Sequence, residues 1–546
     1  MSQLRRASAV LVMCTLMLPA PLFTPSVRAQ NLPNLGDESA AVLTPQMERK
    51  IGEGFYRDLR RDPSFLDDAE VSQYVRELGQ RLLAAGPEPA LGVEFFMLKD
   101  PQINAFAMLG GYIGTNSGLI IASESESETA SVLGHEIGHL TQRHIARGFA
   151  AGKRSSMISL VGAALCLLAA RSNPQVASGC LMASQASAVQ SQLAYSRDFE
   201  READRIGFDI LGKGGFDVAA MPVFFERLQR STRILESNAP SYVRSHPLTT
   251  ERIADVRNRV QGSSRSVTQG GQGVQGVQTG DAPTGSSATV FGQRLSSLTF
   301  HLVRAKLRAT MDESIDGTRD AIRYFTTQIE SKTAPVEAAA YLGLAYAHLQ
   351  SNNASAARAA FVRIANQADH PMYVTLDARI RRASGDVNGA IAVLRAAIGK
   401  HGASRALHLD LVDGLQAAGR QDEALNLLRD QLQLYRNDPK LYELQAKGFS
   451  AVGKRMDQHQ ALGEYFVLLG SLPSAIEQFQ QARCTGEADF YQSSILDSRI
   501  RSLWQRLLDE RAEQQEEGRA PASGPSGPSG PGPRRPGIEQ GMPGRC

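Results

Sequence analysis

The stretch "SVLGHEIGHLTQRH", residues 131–144, contains residue types at a spacing that suits metal chemistry. His135 and His139 are four positions apart, so on a helix their imidazoles lie one turn apart on the same face and can meet at one point. Two neutral imidazoles suit zinc, and the adjacent Glu136 can take a proton from a water molecule whose pKa the metal lowers to roughly 7. The spacing predicts one Zn2+ per chain and a hydrolytic reaction. The alternative is a polar stripe on a packed helix.

A catalytic zinc site needs a third protein ligand, and "YSRDFEREADRIGFDIL", residues 195–211, is the best source for it. The pattern predicts a helix on which Glu200 and Asp204 share one face. Glu200 could bind the metal, while Asp204 could accept the free ring N–H of a ligand histidine. Spacing alone leaves Glu202 as a rival ligand and a solvated charged face as the alternative interpretation.

Together the two stretches resemble the M48 family of zinc metallopeptidases, whose pattern is HExxH followed by ExxxD on a later helix. Matched position by position, the resemblance implies three zinc ligands, namely His135, His139 and Glu200. It also implies Glu136 as general base and Asp204 as the residue that orients a ligand histidine, and it favours the first glutamate of the later helix over its rival. The fold that it implies is an α+β zincin-like (gluzincin) catalytic domain, mostly helical with a small sheet.

A segment before the metal helix, "INAFAMLGGYIGTNSGLI" at residues 103–120, is similar to the family's Asn-Ala-Phe strand. The resemblance implies that Asn104, Ala105 and Phe106 form an exposed edge that receives an extended peptide. A paired-glycine turn followed by β-branched and small residues also suits such an edge on its own account. The alternatives are a strand without a free edge and a turn capped by Asn104. One departure from the family pattern is Leu109, where a proline is usual.

The segment "SHPLTTERI", residues 245–253, resembles the family's late His-Pro motif, with Arg252 six positions after His246. One role for this histidine is to donate a hydrogen bond to the oxyanion that forms during peptide hydrolysis. The other is to occupy the fourth position on zinc and keep the enzyme latent until the loop moves. We expect the second role, with Arg252 anchoring the loop, because a protease surrounded by unfolded proteins benefits from being closed by default. The alternative is a plain loop histidine before a proline turn.

Residues 1–29 have the features of a signal peptide: basic residues near the start, an apolar core and a small-residue end at Ala29. We therefore expect cleavage near Ala29 and export to the periplasm. The apolar run is short and interrupted by proline, which disfavours a membrane span, although an uncleaved anchor remains the alternative. Removal of three arginines with this segment lowers the formal net charge from +3 to about zero, so nothing favours nucleic acid as a partner.

An apolar stretch rich in alanine, glycine and serine, residues 157–187, lies between the two halves of the predicted metal site. Its first half is too short to span a bilayer. We expect a helix packed over the active site. The alternative is a lid or a membrane-facing loop, which leaves peripheral membrane contact open.

Composition divides the exported chain into four parts. These are a catalytic domain at 30–260, a Gly/Gln/Ser linker at 261–296, a helical domain at 297–515 and a Pro/Gly-rich tail at 516–546. The linker and the tail contain too little apolar area to order themselves, so both are predicted to be disordered. This division predicts that the catalytic domain remains active on a short peptide after deletion of residues 297–515, independently of the helical domain.

Within the helical domain an alanine recurs four positions before a large apolar residue, with spacings of 33 and 34 residues between the three most regular pairs. The five pairs are Ala321/Phe325, Ala357/Phe361, Ala390/Leu394, Ala424/Leu428 and Ala475/Phe479. "YLGLAYAHL" (341–349) and "GRQDEALNLL" (419–428) look like the two helices of tetratricopeptide repeats. An all-α TPR solenoid that holds peptides or partner proteins is therefore predicted, against the alternative of an unspecialised helical bundle.

The resemblance, taken with the solenoid, implies an exported zinc-dependent endopeptidase that acts on unfolded or misassembled envelope proteins. It implies a role in outer-membrane protein quality control, with the repeats recognising substrates or the outer-membrane assembly machinery. The competing hypothesis is a TPR chaperone or assembly factor whose protease site is latent or vestigial. The intact set of His135, Glu136, His139 and Glu200 argues against a vestigial site.

Overall fold

The computed structural model describes residues 43–151, 197–234, 241–270, 296–367 and 369–517. The predicted signal peptide, the apolar stretch at 157–187 and most of the predicted linker and tail lie outside these residues. The described chain is mostly helical with one small sheet, which confirms the predicted fold class. No helix in this part of the chain is long and apolar enough to cross a membrane.

The first elements of the described chain are two helices and a three-stranded sheet: α1 (Pro45–Arg61), α2 (Ala69–Ala84), β1 (Glu94–Leu98), β2 (Ala105–Met108) and β3 (Tyr112–Asn116). The strand order is β1-β3-β2, with β1 parallel and β2 antiparallel to β3. The side chains of alternate residues point to opposite faces of a strand. One face therefore packs Phe95, Met97 and Ile113 against the main core, while Phe96 and Leu98 join an aromatic cluster beneath α1.

The turn between β2 and β3 depends on its two glycines. Gly110 has φ +78° and Gly111 has φ +93°, a region that residues with a Cβ rarely adopt. A Cβ on Gly111 would also lie 2.5 Å from the carbonyl oxygen of Gly92. The hairpin closes in this way with Leu109 in place of the family's usual proline.

Within the described residues, seven helices follow the sheet up to Gly270: α3 (Ser117–Ala122), α4 (Glu126–Thr141), α5 (His144–Ala151), α6 (Arg197–Lys213), α7 (Ala220–Ile234), α8 (Ser241–Ser245) and α9 (Thr250–Gly270). The central helix α4 is buried along nearly its whole length, because its small residues allow α6 to approach closely. A Cβ on Gly207 of α6 would lie 2.9 Å from the backbone nitrogen of His135. Helix α9 continues to Gly270, into the segment predicted to be linker.

From residue 296 onward, the described residues form helices that contact their neighbours in sequence. They are α10 (Leu298–Thr310), α11 (Ile315–Glu330), α12 (Glu337–Gln350), α13 (Ala354–Val362), α14 (Pro371–Ala383), α15 (Val387–Ile398), α16 (Arg405–Ala417), α17 (Gln421–Leu434), α18 (Pro439–Ala451), α19 (Arg455–Leu468), α20 (Leu472–Cys484) and α21 (Phe490–Glu517). All ten residues of the five predicted alanine/large pairs are buried. The periodic pattern therefore marks the faces on which these helices pack.

The two halves of the molecule are joined more closely than composition suggests. One hydrophobic cluster runs from Val71 on α2, through the sheet and α4, to Phe300 on α10 and Ile380 on α14. Ion pairs cross the same boundary, among them Lys306 of α10 with Glu70 of α2 at 2.6 Å. The predicted linker precedes α10, but the first helices after it share a core with the catalytic half.

Candidate metal centre

Four buried side chains from three parts of the chain meet at one point. His135 and His139 come from α4, Glu200 from α6 and His246 from the segment after α8, and their ligating atoms all lie within 4.8 Å of one another. The Nε2 atoms of His135 and His139 are 3.0 Å apart. Glu200 Oε1 lies 3.4 Å from His139 Nε2 and 3.0 Å from His246 Nδ1. Three imidazoles and a carboxylate at this separation form a donor set that can hold a metal ion.

Glu136, the predicted general base, lies between this cluster and the sheet. Its Oε2 accepts a hydrogen bond of 3.0 Å from the backbone N–H of Ala107 in β2, and its Oε1 lies 3.5 Å from His246 Nε2. Burial raises the pKa of the Glu136 carboxyl above its usual range, although the adjacent His246 and His135 oppose this effect. A carboxylate with such a raised pKa can exchange protons more readily near neutral pH.

The residues of the predicted substrate edge lie in and next to β2, an outer strand of the sheet. Ala105 and Phe106 begin β2, which pairs only with β3 among the described strands, and the carbonyl of Asn104 accepts the N–H of Asn116 at 2.9 Å. Because the N–H of Ala107 points to Glu136, the outer edge of β2 faces the candidate metal centre.

Asp204 and Arg252 contact the four-residue cluster on the side away from its centre. Asp204 Oδ1 lies 3.0 Å from His135 Nδ1, the ring nitrogen that faces away from the cluster. Arg252 donates to both oxygens of Asp204, at 2.7 and 2.8 Å, and also pairs with Glu200 at 2.8 Å. The same guanidinium donates to the carbonyl of Pro247 at 2.9 Å. Arg252 therefore connects the two acidic side chains with the segment that carries His246.

The segment carrying His246 is also attached to the approach to the edge strand. The backbone N–H of Tyr242 donates to the carbonyl of Ile103 at 3.2 Å, and the N–H of His246 donates to the carbonyl of Tyr242 at 2.8 Å. The ring centroids of Tyr242 and His246 are 4.9 Å apart. The position of His246 therefore depends on residues that are distant in sequence and that spacing arguments could not connect.

The two histidines of α4 have opposite acid–base behaviour. Burial lowers the pKa of His135, but its hydrogen bonds with Asp204 and Glu200 outweigh that effect and raise the pKa to about 9. Burial lowers the pKa of His139 well below its usual range. Metals bind neutral imidazole, so the raised pKa of His135 opposes metal binding and the lowered pKa of His139 favours it.

Glu202, the rival ligand, lies outside the four-residue cluster. Its Oε2 is 3.1 Å from His144 Nε2 and 2.9 Å from Arg147 Nη1. His144 in turn contacts His139, with 2.9 Å between the two Nδ1 atoms. His144 was not predicted from the sequence, because a five-residue offset from His139 does not place it on the same helix face. Only the turn at Arg143, with φ +51°, brings it back to the metal helix.

Comparison with known proteins agrees with the geometry. Residues 69–260 match the model of peptidase family M48, and residues 381–448 match that of the tetratricopeptide repeat. The chain is 29% identical over 493 residues to the beta-barrel assembly-enhancing protease of Escherichia coli (strain K12), covering 90% of this chain and 94% of the relative. The protein of the same name from Yersinia pestis is 29% identical over 481 residues, with 88% and 92% covered. The mitochondrial metalloendopeptidase OMA1 of Arabidopsis thaliana is 27% identical over 233 residues, with 41% and 45% covered.

Proposed function

We propose that this chain, a metallopeptidase with a peptidase family M48 domain and tetratricopeptide repeats, is an exported zinc endopeptidase acting on unfolded or misassembled envelope proteins. The observation that carries the proposal is the meeting of four buried donors beside a buried glutamate that contacts an outer strand of the sheet. The names of the two relatives that align over most of their length connect a protease with β-barrel assembly. They support a role in outer-membrane protein assembly and quality control.

Zinc is the metal that this donor set favours. Imidazole nitrogen and carboxylate oxygen are common zinc ligands, and the four donors are buried together, as a tightly held ion requires. We assign His135, His139 and Glu200 as the protein ligands. When bound, zinc supplies a Lewis acid for the scissile carbonyl and lowers the pKa of the attacking water.

Glu136 is proposed as the general base. It lies next to the ligands in sequence, is completely buried and is held by the N–H of Ala107. From this position the carboxylate can take the proton of the attacking water while the strand edge aligns the peptide. Asp204 is proposed to hold His135 in the tautomer whose Nε2 faces the cluster, because it lies 3.0 Å from the other ring nitrogen.

The substrate is proposed to bind as an additional strand on β2. An extended peptide that pairs with the backbone of Asn104, Ala105 and Phe106 would pass in front of Glu136. Pairing through main-chain groups accepts many sequences, which suits an enzyme that removes misfolded proteins.

His246 is proposed to close the resting enzyme. Its Nδ1 lies 3.4 Å from His135 Nε2 and 3.0 Å from Glu200 Oε1, so the ring is within the ligand cluster and not beside it. A fourth protein ligand would exclude the water needed for hydrolysis. Activation then requires the segment held by Arg252 to move, after which the histidine could serve as an oxyanion donor.

Two further parts of the function rest on composition and on the repeats. Residues 1–29 support export to the periplasm with cleavage near Ala29. The repeats support recognition of protein substrates, and we propose the outer-membrane assembly machinery as a partner. The net charge gives no support for nucleic acid, and residues 157–187 keep peripheral membrane contact as a secondary proposal.

The decisive experiment compares the wild-type protein with Glu136→Gln in zinc content and casein cleavage. We expect one zinc per chain in both proteins and cleavage by the wild type alone. The competing function, a repeat-based chaperone with a vestigial site, predicts no cleavage by either protein and unchanged suppression of aggregation. Cleavage by Glu136→Gln at the wild-type rate would contradict the proposed mechanism.

A further inference from the structure

A chain of polar contacts runs away from the candidate metal centre behind His139. The Nε2 atom of His139 faces the cluster, 3.4 Å from Glu200 Oε1, so its Nδ1 atom faces outward. That Nδ1 lies 2.9 Å from His144 Nδ1, and His144 Nε2 lies 3.1 Å from Glu202 Oε2. The groups along this path are therefore, in order, the Glu202 carboxylate, the His144 imidazole, the His139 imidazole and the candidate metal centre.

The protons along this chain have one consistent arrangement when His139 binds a metal. Its Nε2 lone pair then points at the metal, so the ring proton resides on Nδ1. That N–H can donate only if His144 Nδ1 is unprotonated and accepts. His144 then carries its proton on Nε2 and donates it to the Glu202 carboxylate. Each ring nitrogen of the two histidines then has one role, and the series of contacts ends at the negatively charged Glu202 carboxylate.

We infer that His144 and Glu202 are positioning residues that fix the tautomer and the orientation of His139 as a metal ligand. The inference rests on the proposed metal site and assigns roles to two residues outside it. A metal-bound histidine commonly donates its other ring N–H to a carboxylate or carbonyl, which makes it a stronger ligand. For His135 the nearby carboxylate is that of Asp204, whose Oδ1 lies 3.0 Å from Nδ1. For His139 the acceptor is another histidine, and the carboxylate acts through it.

Neighbouring side chains restrict the orientation of the His144 ring. Its ring stacks on Phe199 with centroids 4.5 Å apart and planes 9° apart. Arg147 lies over the same phenyl ring at 4.7 Å and donates to Glu202 at 2.9 Å. The imidazole of His144 is fully buried, while the Glu202 side chain is 36% exposed. The histidine therefore has little freedom to rotate, and water reaches the contact chain only at its carboxylate end.

This arrangement uses every acidic residue of the "EREAD" segment on α6. Glu200 faces the cluster, Asp204 supports His135 one turn later, and Glu202 supports His139 from the side. Successive residues on a helix are rotated by roughly 100°, so Glu202 cannot share the face of the other two. The intervening imidazole of His144 bridges the distance that this rotation creates.

The test measures zinc affinity by chelator competition in His144→Ala, His144→Gln and Glu202→Gln, beside the full-length wild type. We expect His144→Ala to bind zinc roughly 10- to 100-fold more weakly. Glutamine in place of His144 can accept from His139 through its oxygen and donate to Glu202 through its NH2 group, so it should restore most of the affinity. Glu202→Gln should give an intermediate loss. A matched control is His301→Ala, which removes a half-buried histidine on α10, outside the centre, and should leave zinc affinity unchanged.

A second readout separates positioning from a merely structural role. The visible absorption of the Co2+-substituted protein reports ligand geometry, and it should change in His144→Ala and return towards wild type in His144→Gln. Wild-type affinity and an unchanged cobalt spectrum in His144→Ala would overturn the inference. If the metal-free alanine variant is unfolded by circular dichroism, Glu202→Gln decides, and wild-type affinity in that variant overturns it. A wild-type protein that binds no zinc would instead refute the proposed metal site.

Discussion

The buried lysine that joins the two halves of the chain allows a quantitative prediction. Lys306 on α10 is 3% exposed and contacts Asp68 Oδ2 at 2.5 Å and Glu70 Oε2 at 2.6 Å, both at the start of α2. Burial lowers the pKa of Lys306, but the carboxylates of Glu70 and Asp68 and the Tyr346 phenol raise it above its usual range. The lysine is therefore charged at neutral pH. Its replacement by methionine removes the one cation that directly contacts both carboxylates among the described residues.

The expected loss of folding stability depends on which hydrogen-bond donors each carboxylate keeps. Breaking a buried ion pair by removing one partner destabilises a protein by about 3–5 kcal/mol. Asp68 keeps the backbone N–H groups of Glu70 and Val71, which it caps. Glu70 keeps the hydroxyls of Tyr346 and Thr375. These remaining donors place the cost of Lys306→Met at the lower end, about 3 kcal/mol.

Guanidinium unfolding followed by circular dichroism measures this cost, and a second substitution tests its cause. Adding Glu70→Gln to Lys306→Met removes one of the two negative charges that the lysine contacted. The glutamine can still form hydrogen bonds with the hydroxyls of Tyr346 and Thr375, so most of the stability should return. The control Lys440→Met removes a lysine of an exposed pair with Glu443 and should cost less than about 1 kcal/mol. A loss below about 1 kcal/mol in Lys306→Met, or a double variant as unstable as the sum of the singles, would refute the reasoning.

Four further predictions concern the site and the repeats. Glu136→Gln should lose peptide hydrolysis but retain stoichiometric zinc by elemental analysis, because only the base is removed; metal loss would show that the roles are misassigned. Glu200→Ala should lose zinc, and full occupancy in that variant would exclude Glu200 as a ligand. His246→Ala should raise basal cleavage of an unfolded protein at unchanged zinc content, whereas a roughly 10²-fold lower rate would identify His246 as an oxyanion donor and not as an inhibitory fourth ligand. Deleting residues 453–546 should preserve cleavage of a short peptide and reduce cleavage of the natural protein target, and equal loss on both would contradict a recognition role for the terminal helices.

Much of the fold could be predicted because its signals are local. The alanine/large pairs, such as Ala357 with Phe361, require only the helical period and the size of two side chains, and the structure buries them. The paired glycines before β3 likewise mark a turn that few other residues allow. The independence of the two domains was a weaker inference, since composition identifies where a linker lies but not whether the helices after it pack back. The shared cluster from Val71 to Ile380 is a tertiary contact without a local signature.

The residues of the candidate site likewise fall into two groups: those that local spacing predicts and those that depend on tertiary packing. His135 and His139 could be paired from spacing alone, because one helix carries both. Which face of α6 meets α4 is set by helix rotation, and that rotation depends on close contact at Gly207. Spacing alone therefore left Glu200 and Glu202 as rivals. His144 was missed for a related reason, since its contact with His139 requires a turn whose geometry the helical period does not describe.

The shared core also determines where the chain can be cut for a fair test of the repeats. Phe300 on α10 is completely buried in the cluster that contains the packing residues of α2 and α4. A deletion from residue 297 onward would uncover that cluster and remove Lys306, so loss of peptide hydrolysis would report unfolding and not recognition. The cluster around Phe479 is separate and contains only residues of α19, α20 and α21, together with the loop between the last two helices. Removing that cluster as a unit, by the cut at residue 453, leaves the catalytic core closed and isolates what the terminal helices contribute to substrate choice.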